Sequence, residues 1–164
     1  MTYDELLIDH ENEVDIYEHD LQENPIVKKA GGKGFYYNGT ILIQTGLTEI
    51  DKKCILAEEL GHHYTSSGNI LDMRHPNAKK QELHARLWGA IRLIKFSDFI
   101  KALKIYECDL FLVAEELGVT YETIKLYRNY LFAHGFMDIK DLLAYDTDIS
   151  LLKTKPLRFN RRLS

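Results

Sequence analysis

The pair Asn38-Gly39 does most to limit what this chain can fold into. It stands between two runs of aromatic and β-branched residues, "GFYY" and "TILIQ". Both positions of a two-residue hairpin turn need positive φ, which Asn and Gly adopt at little cost. The pattern predicts a small antiparallel sheet near residues 34 to 45, so the chain is not all helix.

Around the hairpin, apolar residues recur at helical spacing. "LTEIDKKCILAEELGHHYTSSG" reads as a helix capped by Thr48, with Glu49 and Asp51 in its first turn, where they suit the helix dipole. Ile50, Cys54, Ala57, Gly61 and Tyr64 form its expected buried side, and Ser66, Ser67 and Gly68 end it. Pro76 starts a second helix through "NAKKQELHARLWGAIRLIKF", with Leu83, Leu87, Ala90, Ile91 and Ile94 as its core stripe. Ser97 caps a shorter run, "DFIKALKIY". "DLFLVAEELGVTYETIKLYRNYLFAHG" reads as helix, tight turn at Gly118-Val119, and helix capped by Thr120 and closed by Gly135. Residues 2 to 22, with Tyr3, Leu6, Leu7, Val14, Ile16, Tyr17 and Leu21 at roughly helical spacing, are expected to form an acidic helix. "NPIVKKAGGKG" is a loop. The expected class is α+β and predominantly helical. Residues 1–137 are read as one domain and 138–164 as a peripheral C-terminal extension.

Composition narrows the setting. With 164 residues, 45% of them apolar, the chain can bury one real core. No apolar run reaches the roughly 18 residues a membrane span needs. The opening "MTYDELLIDH" is acidic where a signal peptide would be basic, and two distant cysteines form no disulfide framework. A cytoplasmic protein is expected. Residues 1 to 24 hold nine acidic side chains and no Lys or Arg, which argues against the whole surface lying on nucleic acid. The tail "KTKPLRFNRRLS" holds five basic residues, read as a frayed terminus.

One helical stretch carries chemistry. In "AEELGHHYT", Glu59 and His62 stand as the last two fixed residues of the zinc-peptidase motif H-E-x-x-H, but Glu58 takes the first place. Residues four apart share a helix face, so Glu58 and His62 can hold one ion together. Glu59, turned about 100° away, stands where the general base of such a peptidase belongs. A third ligand must come from elsewhere, and Glu82 in the next helix is the candidate. The plainer reading is a solvated helix face, since "AEEL" recurs at 114 to 117. Gly61 weighs against it: glycine inside a helix costs about 1 kcal/mol relative to alanine and marks a close backbone approach. His63 is turned from the Glu58/His62 face, and His75 and His84 are reserve ligands. Trp88 and Tyr64 are read as core.

The runs "CILAEELGHHYTSSGNILD" and "NAKKQELHARLWGA" resemble the ImmA/IrrE-type metallopeptidases, whose pattern is H-E-x-G-H on one helix and a glutamate with an alanine three residues later on the next. The match falls on Glu58, Glu59, Gly61 and His62, then Glu82 and Ala85, and the likeness extends over roughly residues 30 to 135. The resemblance implies a zincin-like fold and metal-dependent cleavage of a helix-turn-helix repressor encoded nearby, in a phage or mobile element. It implies Glu58, His62 and Glu82 as ligands and Glu59 as catalytic base. Zn²⁺ is the expected ion, with Mn²⁺ also suited, because a second carboxylate ligand makes the site less selective. That extra negative charge also lowers the Lewis acidity of a bound ion. Two other readings stand beside this one: an inactive relative that binds a repressor by occlusion, and a helix-turn-helix DNA-binding regulator built on residues 111–131. For the latter, "TYETIKLYRNY" offers only Lys125 and Arg128 against Glu122, thin for phosphate binding.

Overall fold

The structure, a computed structural model, describes residues 1–23, 32–65 and 76–137. Residues 24–31 of the expected loop at 24–34, the helix end at 66–68, His75 and the 138–164 extension lie outside the described residues. The chain divides into two compact units, Met1–Gly89 and Ala90–Ser164. Its class is α+β: six α-helices and one three-stranded sheet among the described residues.

The first unit opens with α1 (Tyr3–His10), closed at its start by a reciprocal cap. Thr2 Oγ1 accepts from the Glu5 N–H at 3.1 Å while Glu5 Oε2 accepts from the Thr2 N–H at 2.7 Å. The expected helix over 2–22 stops there. Residues Asp15–His19 are strand β1, and Leu21–Glu23 a short 3-10 turn. The apolar residues of "EVDIYEH" alternate with charged ones, and parallel pairing with the hairpin outweighs a helical propensity that is weak at Val14 and Ile16.

The hairpin forms as the sequence predicts, with φ of 47° at Asn38 and 84° at Gly39. It joins β2 (Gly34–Tyr37) to β3 (Thr40–Gln44). The sheet order is β1-β3-β2, parallel on one side of β3 and antiparallel on the other, so it is mixed rather than purely antiparallel. Ile41 and Ile43 of the central strand are fully buried, and β2 is left as an edge.

Helix α2 (Glu49–Thr65) packs on β2 and β3. Thr48 caps it, its Oγ1 accepting from the Asp51 N–H at 3.1 Å. The buried side runs through Lys53, Leu56, Ala57, Leu60 and Gly61, while Ile50 and Tyr64 are half exposed. Tyr64 instead stacks on Trp88 at 4.9 Å between ring centroids and shares a 3.0 Å hydrogen bond with His10 Nδ1 of α1. The next helix, α3 (Pro76–Leu93), supplies the last residues of this unit. Its buried residues there are small, Ala78, Ala85 and Gly89, and the expected stripe residue Leu83 is exposed. Small side chains on this face serve close approach of backbones, which a leucine stripe would prevent.

In the second unit, α4 (Phe96–Ile105), α5 (Leu110–Leu117) and α6 (Tyr121–Ala133) surround Phe99, Val113, Ile124, Tyr127 and Leu131, all fully buried. The cap of α4 falls at Lys95 rather than Ser97. Asp109 caps α5, Gly118 ends it at φ 59°, and Thr120 caps α6.

Candidate metal centre

Two small-residue pairs decide where the chemistry-bearing side chains meet. Ala57 and Gly61 on α2 face Gly89 and Ala85 on α3. A Cβ added at Gly61 would stand 2.2 Å from the Ala85 carbonyl oxygen, and one at Gly89 would stand 2.8 Å from that of Ala57. No side chain fits between the helices at either point, so their backbones touch. Glu58 and His62 each follow one of the α2 contact residues, and Glu82 precedes Ala85 by three positions. The crossing therefore delivers all three to one place.

The donor atoms of Glu58, His62 and Glu82 lie within 4.8 Å of one another, the one group of this kind among the described residues that could hold a metal ion. His62 Nε2 is 3.2 Å from Glu82 Oε2. Zinc–ligand distances of about 2.0–2.2 Å at tetrahedral angles put neighbouring donors roughly 3.3 Å apart, so this pair is already spaced for one ion. The donor set, one imidazole nitrogen and two carboxylates, fits a divalent metal with a position left open.

Electrostatics at the site are dominated by crowding of acids. Burial first, then the neighbouring Glu82 carboxylate, push Glu58 up to about 7, against the pull of Arg86 and His62. Glu82 is held below the ordinary carboxylate range by its hydrogen bond from His62. Burial pulls His62 down, but the Glu82 hydrogen bond and the charges of Glu59, Glu82 and Glu58 outweigh it and leave the imidazole above its usual value. Burial and the mutual charges of three groups held this close account for the shifts.

Glu59 stands apart from the trio and is buried beneath the edge strand. Burial raises its carboxyl to about 8, while His62 and a hydrogen bond from the Tyr36 backbone N–H oppose the rise. Gly34 makes the space: a Cβ there would lie 2.5 Å from Glu59 Oε1. Of the reserve ligands, His63 turns away, its Nδ1 sharing a 3.0 Å hydrogen bond with the Tyr36 hydroxyl. His84, half buried on α3, is not in the trio.

Three contributors escaped the sequence reading. Gly34 falls in the predicted sheet, but nothing in the pattern assigns it the close approach to Glu59, for which a glycine opening an aromatic strand is the signal. Gly89 completes with Ala85 the same four-residue spacing as Ala57 and Gly61. Arg86 stands four residues beyond Glu82, on its face of α3, with Nε 3.6 Å from Glu58 Oε2.

Carboxylates and an imidazole gathered from two helices, with a buried glutamate next in line, form the donor pattern of a metallopeptidase-type site. The family narrows this further. Residues 11–127 match the IrrE N-terminal-like domain of the M78 peptidases, well over half of the chain, and the chain belongs to that ImmA/IrrE family. Comparison with curated proteins and with solved structures gave no match. Membership implies a metal cofactor. No helix among the described residues is long and apolar enough to cross a membrane.

Proposed function

We propose that this protein is a metal-dependent endopeptidase that cleaves a helix-turn-helix repressor encoded near its own gene, in a phage or other mobile element. Glu58, His62 and Glu82 would hold the ion, Zn²⁺ in the first instance and Mn²⁺ as the substitute that two carboxylates favour. The observation that carries the reading is the convergence of these three donors at the α2/α3 crossing in a chain of this family. The ion would supply Lewis-acid polarisation.

The chain's own part is positioning and proton transfer. Glu59 takes a proton from the water that attacks the peptide carbonyl and hands it to the leaving amine nitrogen as the C–N bond breaks. Burial, which raises the carboxyl, favours the protonated state from which it delivers the proton to the amine. The Tyr36 N–H fixes the carboxylate's orientation. Strand β2, the edge of the sheet, offers backbone groups along which an extended substrate segment would lie.

A second reading rests on the second unit, where Gly118 and Thr120 join two short helices in a helix-turn-helix. It makes that unit a contact for operator DNA, with Lys125 and Arg128 as the phosphate contacts.

Incubation with the neighbouring repressor, read by mass spectrometry of the fragments, tests the first reading. The parent protein should cut at one site, and Glu59→Gln should hold as much metal and cut nothing, because an amide cannot accept the proton. Equal cleavage by Glu59→Gln would remove the assigned mechanism. Tight, sequence-dependent gel shifts lost in Lys125→Ala/Arg128→Ala would favour the second reading.

A further inference from the structure

Arg86 is a charged group at the crossing that the proposed mechanism leaves without a task. Its Nε lies 3.6 Å from Glu58 Oε2, and its side chain is 42% exposed. That distance exceeds the 2.7–3.2 Å typical of a hydrogen bond, so the interaction is one of charge rather than of fixed geometry. Arg86 also stands four residues beyond Glu82 on α3, on the same helix face, so one guanidinium lies beside both carboxylates.

The charge balance gives this pairing a purpose. Catalytic zinc sites built on three histidines, or on two histidines and one carboxylate, bring a ligand charge of about 0 or −1. Glu58, His62 and Glu82 bring two negative charges, which hold a dication tightly but weaken it as a Lewis acid. One guanidinium beside Glu58 returns the local sum to that of a two-histidine site. Arginine suits the position because it keeps its charge at every working pH.

We propose that Arg86 is a positioning residue that serves the site as a resident counter-cation. It holds the Glu58 and Glu82 carboxylates together before an ion enters, and it offsets the second carboxylate once an ion is bound. The inference rests on the ligand assignment above. It requires Arg86 to act with opposite sign in the two states: it stabilises the protein without metal and opposes the dication.

The test uses the full chain, Arg86→Gln and Arg86→Lys, with Zn²⁺ affinity from chelator competition and melting temperature after metal removal. Arg86→Gln should melt a few degrees lower without metal yet bind Zn²⁺ about tenfold more tightly, the scale expected for removing a half-exposed unit charge from beside a dication. Arg86→Lys keeps the charge and should match the parent in both. A structural role alone would lower melting and affinity together, and that result, or an affinity indifferent to Arg86→Gln, overturns the proposal. Failure of the parent to take up Zn²⁺ would overturn the peptidase reading as well, so the two failures are told apart.

Discussion

The same five residues, Ala-Glu-Glu-Leu-Gly, occur at 57–61 and again at 114–118, and the two copies do opposite things. In the first, Gly61 continues helix α2 because the Ala85 backbone fills the space where a side chain would go. In the second, Gly118 ends α5 in the left-handed conformation at φ 59°, and Thr120 starts the next helix. Glu59 is buried with its carboxyl raised to about 8, whereas Glu115 and Glu116 are exposed, and Glu116 accepts a 2.8 Å hydrogen bond from the Tyr106 hydroxyl. A short motif does not carry chemistry. What surrounds it does: His62 and a facing helix of small residues in one case, Val119 and a capping threonine in the other.

Substitution at the two glycines should separate the copies most. Gly61→Ala drives a Cβ into backbone that cannot yield, and urea unfolding should show a loss of about 3 kcal/mol. Gly118→Ala puts a side chain on a left-handed residue and should cost about 1–2 kcal/mol. Equal losses would mean that the helix crossing is looser than described.

The glutamates come next. A carboxyl raised in the folded protein binds its proton more tightly there than in the unfolded chain. Its contribution is therefore fully present below the ordinary 4.5 and is lost as pH rises through about 8. Glu58 and His62, both raised, act in the same direction, and Glu82, lowered, acts in the other. Metal-free protein should thus melt at lower temperature at pH 8 than at pH 5.5. Glu59→Gln should flatten that slope and stabilise the protein at pH 8 by about 1 kcal/mol or more. A steeper slope in Glu59→Gln would contradict the burial argument. The smallest effect belongs to the second copy: Glu116→Ala removes one exposed hydrogen bond, and denaturation should register less than about 0.5 kcal/mol.

Much of this was legible in advance, for physical reasons that differ by region. Asn38-Gly39 announced the hairpin because its turn demands positive φ, a local requirement. Thr48, Thr120 and Gly118 marked helix ends for equally local reasons. Strand β1 was not legible, because its conformation is decided by pairing with β3, more than twenty residues away in sequence. On α2, Ala57 and Gly61 are legible as contact residues while Ile50 and Tyr64 are not buried; on α3, counting large apolar residues picks out Leu83, whereas the contact is made by Ala85 and Gly89. At the site, the meeting of Glu58, His62 and Glu82 could be anticipated from spacing and family likeness. Arg86 could not, since only the crossing tells which residue of α3 stands beside Glu58.

Metal content bears most directly on the claim that one copy of the motif gathers an ion and the other does not. Purified protein loaded with Zn²⁺ and then desalted should carry about one ion per chain by elemental analysis, since the described residues offer one such group. Glu82→Ala should lose most of it, because one of three ligands is gone. Glu115→Ala/Glu116→Ala should lose none. Protein that retains no zinc after loading, or that retains it equally in Glu82→Ala, would contradict the account.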